Sequence, residues 1–384
     1  MQPRRGRYES FGGILQLDDP VALAFVDQQL MRELGYPDSP LWRTPARFLS
    51  APLEVHFNAT RHCTLRCRHC TADAGDGPDL STAAAKEALA VLAGAGVFHV
   101  AFGGGEFFLR PDALELAACA RALGMVPNAT TSGHGFCAAL ARGCTVFGQV
   151  NVSLDGIGDG YQAVRGAGSF EHADRAVRWL VAAGVHTGIN CVLARPTFDG
   201  VEQVAAYAES AGVEELLLLR LKPSGRARAV YHELRLTPGQ ARGLYPLLRR
   251  LARRHRLRLQ VDCSWIPQLC AHRPSRRAMR LLGVDGCGAG DLLLGVRADG
   301  QISGCSHHAG TAGDVRALPE LWATHAHFSA FRERAVSHPI CRACPYLDLC
   351  RGGCPLFAEF LVGDFAAPDP ECPRIVAATA GRSR

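Results

Sequence analysis

The chain has 384 residues, 48% of them hydrophobic and 20% charged, with a formal net charge of +6. That is enough apolar material for one large domain with one or two smaller ones, and too little charge for a disordered chain. The modest positive balance points by itself to neither nucleic acid nor a membrane, and no run of about 18 apolar residues reads as a spanning helix. The start, MQPRRGRYES, is basic but lacks the apolar stretch of a secretory signal. A cytoplasmic location is therefore expected, where thiols stay reduced. Sixteen cysteines there argue for metal or catalysis rather than disulfides.

Taken in chain order, the first 50 residues predict one helix, over DPVALAFVDQQLMRELG. From about residue 54 to 225 a short apolar β-type run, an alanine-rich amphipathic stretch and a glycine recur. LEVHFNAT is the first strand, and Cys63, Cys67 and Cys70 lie on the loop after it. STAAAKEALAVLAGAG reads as a helix with a serine cap and a glycine stop. VFHVAFGGG and PDALELAACARALG follow, with Pro111 expected in the first helical turn. MVPNATTSG with FCAALARGC, FGQVNVSLDG with SFEHADRAVRWLVAAG, and HTGINCVLAR with VEQVAAYAESAG repeat the pair. EELLLLRLKPSG is the sixth strand, and TPGQARGLYPLLRRLARRH closes the region as a helix.

Strands alternating with helices imply parallel βαβ units, and six such units can form a partial barrel. The loops after the strand ends then share one rim, where parallel barrels carry their chemistry. The cysteine loop, GGGE, TTSG, SLDG and KPSG all fall on that rim. After about residue 262 the rhythm fades and cysteines become dense, as in a small metal-stapled domain. The last dozen residues are expected to fray.

A solitary Cys-x-x-Cys suits structural zinc, but this triad has no fourth thiolate at comparable spacing. A four-iron cluster held by three thiolates leaves one iron open for a ligand, and the loop is directed at the shared cavity. An open cluster is therefore the preferred reading. The Cys-x3-Cys-x2-Cys loop resembles the signature of the radical S-adenosylmethionine (SAM) superfamily. In that family the open iron chelates SAM, whose reductive cleavage gives a 5′-deoxyadenosyl radical. The resemblance makes Gly103, Gly104, Gly105 and Glu106 the element that receives the SAM amino group. Ser132, Ser153 and Asp155 match positions that bond the cofactor's carboxylate or ribose. Arg165, in VRGAGSF, matches an arginine suited to the carboxylate, and His69 takes the place of an aromatic near the adenine. Phe107 departs from the proline common after GGGE. Cys119, Cys137, Cys144 and Cys191 read as buried inert thiols.

Seven cysteines follow from Cys287, ending in CRACPYLDLCRGGC and Cys372. Their spacing resembles the SPASM domain of radical SAM enzymes, which houses two auxiliary four-iron clusters. The resemblance assigns Cys341, Cys344, Cys350 and Cys372 to one cluster and Cys287, Cys305 and Cys354 to the other. For the fourth ligand of the latter, Cys263, Cys270 or an open site all stand. The implied fold is α/β: a partial (β/α)6 TIM-like barrel over 51–256, followed by a SPASM domain over 287–373. Residues 1–50 are an extension, 257–286 a bridge and 374–384 a tail.

SPASM enzymes mostly modify ribosomally made peptides, by crosslinking, decarboxylation or related chemistry. GGGE with LRPD, SLDG, RGAGSF, LRLKPSGRA, CGAG, CRGGC and DPEC resemble the mycofactocin maturase group in particular. The resemblance implies SAM, three [4Fe–4S] clusters, a precursor peptide and a reductant of the flavodoxin or ferredoxin type. It implies no nucleic-acid or membrane partner. No winged-helix leader-binding module is apparent, so a separate leader-binding protein or docking at the barrel mouth is expected. LLRRLARRHRLR and AHRPSRRAMR read as solvated helix faces, with attraction of an acidic leader as the other option. Two further functions stay open: a tetrapyrrole (haem-type) side-chain decarboxylase, and a non-catalytic iron–sulfur carrier or sensor.

Overall fold

The computed structural model describes residues 5–18, 21–44, 46–166 and 170–382. Strands β1 (Arg5–Glu9), β2 (Gly12–Asp18) and β3 (Val21–Asp27) form a small antiparallel sheet in that order. This corrects the helix expected over 19–35. VALAFV pairs along its whole length with β2, from Gly12 opposite Asp27 to Asp18 opposite Val21. The helix is confined to Gln28–Glu33, where Asp27 caps the amide of Leu30. A β-branched and aromatic run that finds a partner strand satisfies its backbone there, and local helical periodicity loses.

The main sheet is built from β4 (Glu54–Thr60), β5 (His99–Gly104), β6 (Val126–Thr131), β7 (Gln149–Ser153), β8 (Thr187–Leu193) and β9 (Glu215–Arg220). They lie side by side in chain order, every neighbouring pair parallel. The crossover helices Thr82–Gly94, Ala113–Ala122, Ala138–Gly143, Phe170–Ala182 and Val201–Ser210 connect them. Ser81 caps the first of these. The second crossover helix begins later than read: Asp112 is the N-cap of Ala113–Ala122, and Pro111 stands before it.

The sheet continues at both sides. β10 (Arg258–Val261) adds in parallel to β9, and β11 (Leu293–Val296) adds in parallel to β4. β12 (Gln301–Ser303) and β13 (Gly313–Asp314) follow β11 as antiparallel strands. The segment between Cys287 and Cys305 is thus stitched to the strand that precedes the first cysteine loop.

One sheet face is apolar. Val55, Phe57, Val100, Phe102, Val150, Val152 and Ile189 are fully buried against the helices. Removing a ring such as Phe102 from that layer would cost about 3–5 kcal/mol. Phe107, the departure from proline, stacks on Phe102 with centroids 4.7 Å apart and rings 5° from parallel, so it serves this core. The alternate positions, such as Asn58, Thr130, Asn151, Ser153 and Asn190, are only half-buried and lie on the opposite face. The strict alternation of a half-solvated sheet is here turned to a different use: a polar inner face.

The C-terminal segment is also ordered. Pro373–Arg382 is a helix rather than a frayed end, and Ile375 is buried with Val336 and Cys341. Along the basic helix Pro238–Arg254, Arg250 and Arg254 both pair with Glu202, and His255 pairs with Glu209. No helix among the described residues is long and apolar enough to cross a membrane.

Candidate active site and cysteine cavities

The first cysteine loop leaves β4 at Thr60 and is clamped from three directions. Asp79 accepts the hydroxyl of Thr60 and the amide of Arg61. The amide of Arg68 donates to the carbonyl of Val164 at 3.1 Å. From the loop after β9, Ala227 donates its amide to Cys70 at 3.2 Å and Arg226 donates Nε to the carbonyl of Cys67 at 3.3 Å. Gly225 has φ +54°, and a Cβ there would stand 2.7 Å from the carbonyls of both Cys70 and Thr71. Only glycine lets the KPSG turn press against the cysteine loop this closely.

Cys63, Cys67 and Cys70 share one cavity with His69, Gly103, Gly104, Gly105, Glu106, Ser132, Ser153 and Arg165. The cavity sits at the C-terminal ends of β5 to β9. A larger one, about 630 Å³, lies by Leu193, Tyr231 and Trp265 and contains no cysteine. Chemistry rather than size therefore picks the site. Burial pushes the Cys67 thiol up, and Arg165 works against that shift. Burial likewise raises Cys63.

The three glycines have different jobs. A Cβ on Gly104 would lie 2.4 Å from the carbonyl oxygen of Thr60, and one on Gly105 would lie 2.1 Å from that of His62. Those two admit the cysteine loop. A Cβ on Gly103 would meet nothing within 4 Å, so Gly103 is the one that leaves room in the cavity. Glu106 is buried and ties loops together. Its carboxylate accepts from the Thr131 hydroxyl at 2.8 Å and from the amide and hydroxyl of Ser132 at 2.7 and 2.6 Å. Burial raises its carboxyl in spite of these bonds.

Asp155 is fully buried beneath the site and absent from the cavity lining, in place of the rim position expected of it. Its Oδ2 holds Arg165 Nε at 2.6 Å and His69 Nε2 at 2.9 Å, while its Oδ1 accepts the amide of Val192 at 2.7 Å. Burial opposes its charge, yet Arg165 and His69 hold the carboxyl well below the usual range. His69 Nδ1 reaches the carbonyl of Val164 at 3.1 Å, which fixes the ring from its other side. Beyond Nε, the guanidinium of Arg165 makes no hydrogen bond with a described residue. The Ser153 hydroxyl also makes none. Residues 167–169 of the RGAGSF stretch lie outside the described residues.

Sequence reading did not single out Asn190, Thr130, Leu219 or Arg226, all of which line the cavity. Asn190 Oδ1 is buried without a partner. The period-2 alternation of β8 and β9 was the available signal, since it puts Asn190, Val192 and Leu219 on the face that carries Ser153.

One further cavity is rich in cysteine, and four more thiols form a group of their own in the C-terminal region. In that group Cys263 is hydrogen-bonded to Cys287, which lowers the Cys287 thiol and raises that of Cys263. Cys305 and Cys354 lie within electrostatic reach of Cys287, and burial pushes them up to about 11 and about 12. Buried Lys222 stands beside this group, bonded to Asp262 at 2.7 Å and to Ser264 at 3.2 Å. The cavity is lined by Cys341, Cys344, Cys350 and Cys372 and also by Cys270. The structure thus separates the two upstream thiols, Cys263 to the group of Cys287 and Cys270 to the cavity. All sixteen cysteines are free. Cys144 and Cys191 are buried as expected, but Cys119 is only half-buried and Cys137 is exposed at a helix N-cap, outside the core.

The DPEC segment reaches the sheet through charge. Arg220 at the end of β9 holds Asp369 at 2.6 Å and Glu371 at 2.8 Å, all beside Cys372. Arg334 donates to the carbonyls of Phe365, Arg351 and Gly353 at 2.8 Å each, which fastens the CRGGC turn.

Residues 57–208 match the model of the radical SAM superfamily. The chain is 34% identical to the mycofactocin maturase MftC of Mycobacterium ulcerans over 339 residues, covering 84% of this chain and 88% of that protein. It is 26% identical to the AdoMet-dependent heme synthase of Nitratidesulfovibrio vulgaris, covering 83% and 91%. In fold it is similar to Streptococcus suis SuiB bound to precursor peptide SuiA, with a TM-score of 0.75 at 16% identity over 96% of this chain and 98% of that one.

Proposed function

This chain belongs to the radical SAM superfamily, and we propose that it uses SAM to modify a ribosomally made peptide oxidatively. The observation that carries the reading is the placement of Cys63, Cys67 and Cys70 on one wall of the polar cavity at the strand ends. Three thiolates can hold a [4Fe–4S] cluster with one iron left open. The residues opposite them fit the zwitterionic end and ribose of SAM. Gly103 leaves space, Arg165 offers unspent guanidinium nitrogens to a carboxylate, and Ser153 and Asn190 offer an unspent hydroxyl and amide oxygen. His69, held by Val164 and Asp155, would face the adenine. When bound, cluster and cofactor together supply a 5′-deoxyadenosyl radical that abstracts a hydrogen atom.

The protein's own contribution is positional. Asp155 orients Arg165 and His69 from below. Glu106 fixes Ser132 and the backbone that follows Gly103. The Arg226 and Gly225 turn holds the cysteine loop against the cavity. Such preorganisation would keep reacting atoms aligned.

We assign residues 51–256 to a partial (β/α)6 barrel and 287–373 to a SPASM domain with two auxiliary clusters, joined by a bridge over 257–286. Cys263, Cys287, Cys305 and Cys354 would hold the first auxiliary cluster, which closes it with four thiolates. Cys341, Cys344, Cys350 and Cys372 would hold the second. Among the described residues no three cysteines, histidines or carboxylates converge tightly enough for a single ion. Thiols ranged around a cavity suit a cubane better than zinc. A flavodoxin- or ferredoxin-type reductant in a reducing cytoplasm matches sixteen free thiols. The leader could dock through a separate carrier protein or by strand addition to the small N-terminal sheet.

The test is anaerobic incubation of reconstituted protein with dithionite, SAM and synthetic peptides for the short reading frames beside its gene. The expected result is 5′-deoxyadenosine together with a peptide mass change. SAM cleavage without any peptide product, but with decarboxylation of an added tetrapyrrole, would replace this reading with the haem-type alternative.

A further inference from the structure

The helix Ile266–Cys270 and the turn before it send their two thiols to different places. Cys263 is hydrogen-bonded to Cys287. Cys270, 3% exposed, lines the C-terminal cavity with Cys341, Cys344, Cys350 and Cys372. That cavity otherwise has walls of Pro267, Ile340, Leu347, Gly352 and Pro368, with Arg374 at its edge. Cys270 lies within electrostatic reach of Cys344, Cys350 and Cys372. A cubane takes four thiolates. Five thiols on one small apolar cavity leave one in excess.

We propose that Cys270 is a fifth iron-ligating thiol of the second auxiliary site, able to occupy the ligand position of Cys350 or Cys344. The inference rests on the three-cluster reading above. A buried thiol with no hydrogen-bonding partner among the described residues, facing four others, gains most by coordination. The fixed helix holds it within the cavity, so exchange needs no rearrangement of the chain. As the Cys270–iron bond forms, the iron bond of the thiolate it replaces would break, and that thiolate would take the proton Cys270 gives up; no electron is transferred.

The experiment measures iron and labile sulfide per chain, with electron paramagnetic resonance of the dithionite-reduced full-length protein. Cys350→Ala should keep wild-type iron and sulfide, with shifted g values for one cluster. Cys270→Ala alone should also keep them. Cys350→Ala combined with Cys270→Ala should lose about four iron per chain. Cys344→Ala, alone and combined with Cys270→Ala, repeats the comparison should the Cys350 variant fail to fold. Loss of about four iron from both single variants, or the same content in single and double variants, would overturn the proposal. Wild type that binds only one cluster would overturn the three-cluster reading itself, and this inference with it.

Discussion

The two cysteine-bearing regions are constructed in opposite ways. The first site takes all its thiols from one loop, Cys63 to Cys70, and completes its walls with polar and charged groups from five strand ends. The C-terminal sites gather thiols from separate segments. Cys263 comes from the end of β10, Cys287 precedes β11, Cys305 follows β12, and Cys354 and Cys372 come from turns beyond. The walls around Cys341, Cys344, Cys350 and Cys372 are mostly apolar, and Cys270, Cys341 and Cys354 are buried. An open polar site can admit a cofactor. A closed one saturated with thiolates can pass electrons and fasten the chain, but it has no position to offer a substrate.

That comparison can be broken by removing thiols on each side. Alanine at Cys63, Cys67 and Cys70 together should abolish 5′-deoxyadenosine formation and remove about four iron per chain, with the C-terminal clusters intact. Cys305→Ala and Cys341→Ala should each lose similar iron and peptide product while SAM cleavage persists. Cys341 is chosen because it is neither of the two positions proposed for Cys270. Circular dichroism must first establish folding, since cluster loss also removes folding free energy. Product formed at the wild-type rate by both C-terminal variants would take their clusters off the reaction path.

The same contrast explains what was legible in the sequence. The triad and GGGE are local patterns, and spacing alone carries them. Six of the main strands are equally local, because each apolar run is followed by its own crossover helix. Cys263 and Cys270 were undecided because their placement depends on β10 joining β9 and on the turn that follows. The pairing of β11 with β4 joins residues far apart in sequence. The strand at Val21–Asp27 was misread for a related reason: its partner, β2, decides its state, and periodicity in one short run does not reveal a partner. Asp155 shows the limit for side chains. SLDG correctly marks a strand end, but only the fold places its carboxylate under Arg165.

Asp155 sharpens the comparison next, since the open site depends on a buried charge where the closed sites depend on thiols. Asp155→Asn keeps the shape and removes the charge that faces Arg165 and His69. It should destabilise the protein by about 3 kcal/mol, because a buried guanidinium is left without its counter-ion. A depressed carboxyl contributes stability above its unfolded pKa near 4, and that contribution disappears as pH falls. Melting temperatures should therefore converge between wild type and variant as pH drops below about 4, and differ most at neutral pH. A constant difference across that range would mean that the carboxylate charge is not what holds Arg165.

The smallest effect separates two neighbouring glycines. Neither Gly103 nor Gly105 has a positive φ, so alanine is allowed by the backbone at both. What differs is the space beyond. At Gly103 the new methyl enters the cavity and touches nothing, so stability should hold or rise by a few tenths of a kcal/mol, about what a lost glycine freedom gives. SAM affinity should fall about tenfold, near 1.4 kcal/mol, as the methyl takes ligand space. At Gly105 the methyl would lie 2.1 Å from the His62 carbonyl, backbone that cannot rotate away. The loop carrying Cys63 must then shift, and Gly105→Ala should lower the melting temperature and the iron held by the triad. Calorimetric SAM binding and iron counts on the two reconstituted variants test this. If Gly103→Ala bound SAM as tightly as wild type, the face of the cavity assigned to the cofactor would be wrong. A Gly105→Ala variant as stable and iron-loaded as wild type would show instead that the cysteine loop does not rest on that glycine.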